Sequence, residues 1–415
     1  MSLGVKTGTI QDFLGALKPG QRVFFQGGPG ESLQLYNALR DDPGVAKGVE
    51  FWSCLIPGIN RHDYGSLPGE VALNTFMASP ALEPSITSGR TQVHAMPYSQ
   101  IGETLAGMDF DAALFHAAPP DRHGRCAFGI ACDTPSIVWP RAKRRAVILN
   151  PAMPALPGSE AVSATEVDLA IEADAPLIGP SGAPAQAKSA ILDTIGKLAA
   201  DLIPDDAIIQ SGIGDTPAAV VAALRFHRGL RVHSGIITPE YQLLGESGAL
   251  DMSGGNLAGV AWGGPDFYSW LKQSGFTFAS ILQTHAHARL AALPRFVSIG
   301  SAIEVDLAGN LNLEWRLARR ISSIGGSQDF MAGAAAAEEG LSIIALQAAG
   351  GGASRIVPSI ANPTVAGALA DAIVTEHGVA RLKGLSARER ATALIAIANP
   401  DHRAFLARAA EALPA

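Results

Sequence analysis

The sequence predicts an α/β protein with mainly parallel sheets. Its recurring pattern is a short apolar run, a Gly- or Pro-rich turn and then an amphipathic segment, which interleaves strands with helices and calls for right-handed crossovers. The pattern restarts in the second half of the chain. A length of 415 residues, with 47% hydrophobic and 17% charged residues, suits two or three domains or one two-lobed enzyme with substantial cores. The 45 glycines and 27 prolines follow no repeat and fit many short loops between sheet and helix elements.

Taken in order, Arg22 to Gln26 (RVFFQ) reads as a buried strand, GGPGE as its exit loop and Ser32 to Arg40 as a helix. Phe110 to His116 and Ala146 to Asn150 are further strands, each ending at polar or Pro-rich punctuation. In the second half, Ala187 to Leu202 has helical periodicity and Ala207 to Gln210 is a short strand. GIGDTP then forms a turn, Ala218 to Leu224 a helix, and Leu230 to Val232 a strand leading into His233. Apolar and polar residues alternate from Ala302 to Trp315 across an AGN turn, the mark of a β-hairpin. Ser342 to Leu346 and Ala372 to Thr375 complete the strands, and Ser386 caps a charged scaffold helix. The weakly patterned stretch Ala183 to Ala187 is the expected join between two lobes.

The net charge of −7 argues against a nucleic-acid scaffold, which carries a basic stripe, but leaves room for a local basic pocket for an anionic cofactor. Cys54, Cys126 and Cys132 fit neither a disulfide framework nor a CxxC metal site, and Cys126 and Cys132 read as buried small residues. No metal is expected. The N-terminal segment has no signal-peptide pattern, and no stretch approaches the ~20 apolar residues of a membrane span, so a cytoplasmic protein without membrane partners is expected.

Four segments invite chemistry. Gly27, Gly28 and Gly30 follow the opening strand but lack GxGxxG spacing and a Walker lysine, so a tight turn is favoured over a dinucleotide site. PPDRHGRCAFG, Pro119 to Gly129, is a rigid loop at a sheet edge containing Asp121, His123 and Gly124. Gly212, Ile213, Gly214, Asp215 and Thr216 lie between a strand and a helix, where backbone can approach an anion closely. Gly325 and Gly326 precede a helix starting near Gln328, and exposed N–H groups there suit an oxyanion hole. The aromatics Trp262, Phe267, Tyr268 and Trp270 can line an acyl site, with a local hydrophobic cluster as the plainer reading.

Together these strings resemble the acetyl-CoA hydrolase/transferase family, which includes the 4-hydroxybutyrate CoA-transferases. The family pattern SPPDxHGxxSLG matches at Asp121, His123 and Gly124, with Ala118 in place of the serine. SGxGGQxDF is similar to SSIGGSQDF, with Ser327 at the glutamine position and Gln328 one place later. AAGGGASRIVP, which holds Gly350 and Gly351, and the stretch from Thr375, Glu376, His377, Gly378 and Val379 onward resemble the C-terminal signature. Recognisable elements run from about residue 22 to residue 405. The resemblance implies two similar open α/β lobes of CoA-transferase type, residues 1–186 and 187–415, the second carrying the active-site region. It also implies CoA, as acyl-CoA substrate, held by Gly212 to Thr216, Gly325, Gly326, Gln328, Gly350 and Gly351. A small carboxylate acceptor and a homodimer or higher homo-oligomer are expected.

One position departs. The family pattern after the GIGDTP turn is roughly H-[ST]-E, whose glutamate is the covalent nucleophile of transfer. Here His233 and Ser234 match, and Gly235 stands where the glutamate belongs. Three readings stay open. The chain handles a CoA thioester without a glutamyl-CoA intermediate, with His233, Asp215, Glu240 or Glu246 as the nearby titratable groups; or Glu240 acts as a displaced nucleophile; or the chain is a non-catalytic CoA-binding or regulatory paralogue. A Gly235→Glu substitution is expected to create transferase activity where the rest of the site is intact.

Overall fold

A computed structural model describes residues 6–180, 189–317 and 319–411. The chain folds into two compact units that are not contiguous in sequence. The first runs to Pro180 and takes in Leu257–Thr284 and Ile321–Gly325, and the second holds the rest. The expected join at Ala183 to Ala187, and with it the 186/187 boundary, lies outside the described residues.

In the first unit, eight parallel strands form one open sheet: β1 (Thr7–Gly8), β2 (Arg22–Phe25), β3 (Glu50–Ser53), β4 (Ala72–Thr75), β5 (Thr91–Val93), β6 (Phe110–Ala117), β7 (Ala142–Leu149) and β8 (Leu169–Glu172), in spatial order β1-β8-β7-β6-β2-β3-β4-β5. Helices cover both faces of such a sheet, which is why Val23, Phe24 and Phe25 are consecutive and all buried. The helix after β2, α1 (Leu33–Asp41), begins where the Ser32 hydroxyl accepts from the Gln34 amide. GGPG is a buried 3₁₀ turn rather than an open loop; a Cβ at Gly27 would sit 2.1 Å from the Cys54 carbonyl oxygen.

In the second unit, β9 (Ile208–Ser211), β10 (Arg231–Ile237), β11 (Phe296–Gly300), β12 (Leu341–Ala345), β13 (Ala372–Thr375) and β14 (Gly378–Arg381) run in the order β10-β9-β11-β12-β13-β14. Only the last pair is antiparallel. The helices that bear on the site are α2 (Asp215–Ala223), α3 (Pro239–Glu246) and α4 (Ser327–Ala336). The expected hairpin forms from Glu304–Asp306 and Leu311–Asn312, with the Asp306 carboxylate accepting from the Ala308 and Asn310 amides across the turn. Several expected boundaries move, among them the strand expected from Ala146, which begins at Ala142. The helix after GIGDTP begins at Asp215, not Ala218, and the strand leading to His233 continues through it to Ile237.

Ser386 starts the helix Ala387–Ile397 with a full capping box: its hydroxyl accepts from the Glu389 amide, and the Glu389 carboxylate accepts from the Ser386 amide at 2.8 Å. Ser386→Ala is therefore expected to lower stability by about 1 kcal/mol, read as a shift in urea midpoint with unchanged slope.

Candidate active site

Gly235 lies in the interior of β10, two residues after His233, so both point to the same face of the sheet. His233 is 4% exposed and its ring meets the ring of Phe296 edge-on, with centroids 6.3 Å apart. The space in front of Gly235 is taken by His285. A Cβ built on Gly235 would stand 2.7 Å from His285 Cε1, 2.9 Å from Nε2 and 3.6 Å from Phe330 Cζ. A Cβ built on Gly326 would meet the adjoining edge of the same ring, 2.5 Å from Nε2 and 2.8 Å from Cδ2. The His285 imidazole thus sits between two glycines, and packs on the Phe330 ring at 4.5 Å.

What holds His285 there is local packing. The helix His287–Ala291 follows it directly and carries Leu290 into a small core with Ile208, Phe296, Phe330 and Ala334. Leu290 can reach that depth because α4 presents Gly333, where a Cβ would be 2.5 Å from Leu290 Cβ. Burial, and then the nearby His233, lower the His285 imidazole from 6.5 to about 3, so the ring is neutral throughout the neutral range.

The loop elements around Gly235 are firmly tied. Gly212 donates its amide to the Ile299 carbonyl at 2.9 Å, fixing the end of β9 to β11. Gly214 caps α2 at φ +118°, a conformation only glycine adopts easily, and Asp215 opens the helix with Thr216 behind it. Ile213 lies between the two glycines. The hydroxyls of Tyr241 and Ser211 are 2.8 Å apart and join α3 to β9, and burial pushes the Tyr241 phenol up to about 12. Glu240 precedes Tyr241 in the first turn of α3 and is half-buried, whereas Tyr241 and Leu244 are the residues this helix buries.

The remaining expected residues are placed as follows. SSIGGSQDF divides between the units: Ile321–Gly325 packs with the first, where Tyr98 donates to the Gly325 carbonyl at 3.0 Å and Ala78 donates to the Ser323 hydroxyl at 2.8 Å. From Gly326 the chain belongs to the second, and Gln328 is in the first turn of α4. Gly350 ends one strand of a hairpin (Ala349–Gly350 with Ala353–Ser354) whose turn is Gly351 and Gly352, at φ +60° and +81°. Glu376 accepts from the Ala348 amide at 2.9 Å and braces the entry to that hairpin. His123 is exposed, and Asp121 closes its own loop by accepting from the amides of His123 and Arg125. The aromatics near Trp262 form a local cluster within the first unit, Phe267 stacking on Trp270 at 5.9 Å. All three cysteines are buried and free. Among the described residues there is no cluster of three metal-ligating side chains and no helix long and apolar enough to cross a membrane.

His285 was missed from sequence because a histidine in QTHAHARL, fifty residues from Gly235, carries no signal that links it to that position. The structure packs its ring against Gly235.

Residues 263–410 match the model of the acetyl-CoA hydrolase/transferase C-terminal domain. The chain is similar to 4-hydroxybutyrate coenzyme A transferase of Clostridium kluyveri, with 28% identity over 96% of this chain and 95% of that protein. It is 32% identical to butyryl-CoA:acetate CoA-transferase of Anaerostipes caccae over 72% of each chain. Among solved structures it is similar to RipA from Yersinia pestis, with a TM-score of 0.87, 27% identity and coverage of 98% and 97% of the two chains.

Two outcomes are expected from this packing. Gly235→Ala lowers stability by about 1–3 kcal/mol in thermal or urea unfolding, and costs measurably less in a His285→Ala background, a coupling that a double-mutant cycle reads directly. A glutamate at 235 meets the same obstacle, so Gly235→Glu needs His285 to vacate its seat. The second outcome concerns pH. The folded His285 pKa lies below its unfolded value, so its contribution to stability is present above pH 6.5 and is lost as pH falls from 6.5 towards about 3. Asp133, raised to about 6 by burial, has the opposite dependence but is common to wild type and variant. His285→Gln is therefore expected to show a flatter decline of stability below pH 6.5 than wild type.

Proposed function

The chain belongs to the acetyl-CoA hydrolase/transferase family, and from that membership we propose that it acts on a CoA thioester without forming a glutamyl-CoA intermediate. Glycine has no side chain with which to attack an acyl carbon or carry CoA. The observation that carries the reading is the imidazole lodged where a side chain at 235 would project. A carboxylate is not merely absent from that place; a neutral ring is packed into it, so no other nucleophile has room to move in without displacing His285.

The retained loops support CoA handling. We assign the CoA moiety to Gly212 to Thr216, where the strand end is fixed to β11 and the first amides of α2 have no intrahelical partner. Gly326 and Gln328 at the start of α4 supply further backbone donors next to His285. Gly325 and the Gly350–Gly351 turn remain candidates for CoA contact on family grounds.

The test is covalent trapping. Incubation with acetyl-CoA or butyryl-CoA, followed by borohydride or hydroxylamine, is expected to leave no CoA-sized adduct on the intact protein by mass spectrometry, while CoA thiol is released. A CoA-sized adduct on any residue, Glu240 included, overturns this reading.

A further inference from the structure

We propose that Tyr98 and Asp133 are positioning residues for CoA binding, which hold the Gly325 carbonyl, and with it the stretch Ile321–Gly325, in the place where Gly325 meets CoA. The inference rests on the preceding reading that this chain handles CoA and that Gly325 contacts it, and it adds the residues that set the position of that contact.

Two hydrogen bonds tie the stretch Ile321–Gly325 into the first unit: the Ala78 amide donates to the Ser323 hydroxyl at 2.8 Å, and the Tyr98 amide donates to the Gly325 carbonyl at 3.0 Å. Tyr98 is the first residue of the helix Tyr98–Gly107, which Pro97 precedes without a side-chain cap. The first amides of a helix have no intrahelical acceptor, so the Gly325 carbonyl does for this helix what a capping side chain does elsewhere. Gly325 stands at φ +58°, in the left-handed region, with its carbonyl turned onto that amide. Helix end and turn therefore hold each other.

The Tyr98 side chain fixes the helix end from its other side. Its ring is buried, and its hydroxyl donates to the Asp133 carboxylate at 3.0 Å. Asp133 is itself buried, and its backbone carbonyl accepts from the Ile281 amide at 2.9 Å. Ile281 in turn packs on the tyrosine's own helix, where a Cβ at Gly102 would stand 3.1 Å from Ile281 Cγ2. Tyr98 is thus held at amide and hydroxyl, and a shift at the hydroxyl moves the amide that meets Gly325. A hydrogen bond to a charged carboxylate is about twice as strong as a neutral one, so the hold weakens when Asp133 takes up a proton. Burial lifts the Asp133 carboxyl to about 6, against the pull of the Tyr98 hydroxyl and the Thr134 amide. Burial also pushes the Tyr98 phenol well up, so it remains a donor. The other titratable groups facing Asp133 are Cys54, Cys132 and Glu160, each raised by burial. The two thiols stay uncharged.

The experiment measures the dissociation constant for CoA by calorimetry between about pH 8 and about pH 5 for wild type, Tyr98→Phe and Asp133→Asn, with circular dichroism and thermal midpoints confirming that each is folded. At the alkaline end both variants are expected to bind CoA about 10-fold more weakly, the weight of one charge-assisted hydrogen bond. As pH falls through about 6, the wild-type constant is expected to rise towards theirs, so the ratio of variant to wild type shrinks towards one. Taking the ratio removes the titration of CoA's own phosphate, which also lies at about pH 6 and is the same for all three proteins. A merely structural role would lower the thermal midpoints and leave that ratio flat. Either variant binding CoA as tightly as wild type at the alkaline end, or a ratio that does not change with pH, overturns the assignment and leaves the preceding reading standing. Wild type that binds no CoA across the range overturns both.

Discussion

The site depends on one steric constraint: the space filled by the His285 imidazole exists only while residues 235 and 326 are both glycine. Protein interiors are packed close to crystal density, so a ring with backbone on two sides and Phe330 on a third has no slack. The constraint runs outward from there. Phe330 shares its small core with Leu290, and Leu290 sits directly against the Gly333 backbone of α4. The helix carrying Leu290 begins two residues after His285. Gly235, Gly326 and Gly333 thus serve one histidine, and a methyl group at any of them presses on the ring or on the residue that anchors it.

The surrounding frame fixes where Gly235 sits. β10 reaches Gly235 in register with β9, which is bound in parallel to β11. The Tyr241–Ser211 pair clamps the following helix to the same strand, and Gly214 sets the start of α2. A position in the interior of a strand is held more tightly than one on a loop, so a group facing Gly235 is presented with little freedom. That rigidity holds the Gly235 backbone against the His285 ring.

Much of this was legible in the sequence. The buried runs RVFFQ and FDAALFHA, the strand Ala372–Thr375, the AGN hairpin and the Ser386 cap follow from burial, alternation and capping chemistry that act over a few residues. The ring packed against Gly235 was not legible. His285 reaches Gly235 only through tertiary packing, and its importance comes from the two glycines it touches, which is a property of three separated segments. The division of SSIGGSQDF between two units was hidden for the same reason: periodicity reports an element, not the core into which each end of it packs.

A neutral ring and a carboxylate make different demands on a buried place. A carboxylate there would need donors to offset the loss of its hydration, whereas the His285 imidazole, kept neutral by burial, places no net charge there. Its seat is therefore kept by shape, through Gly235, Gly326 and Phe330, and a substitution at either glycine is felt first as a clash.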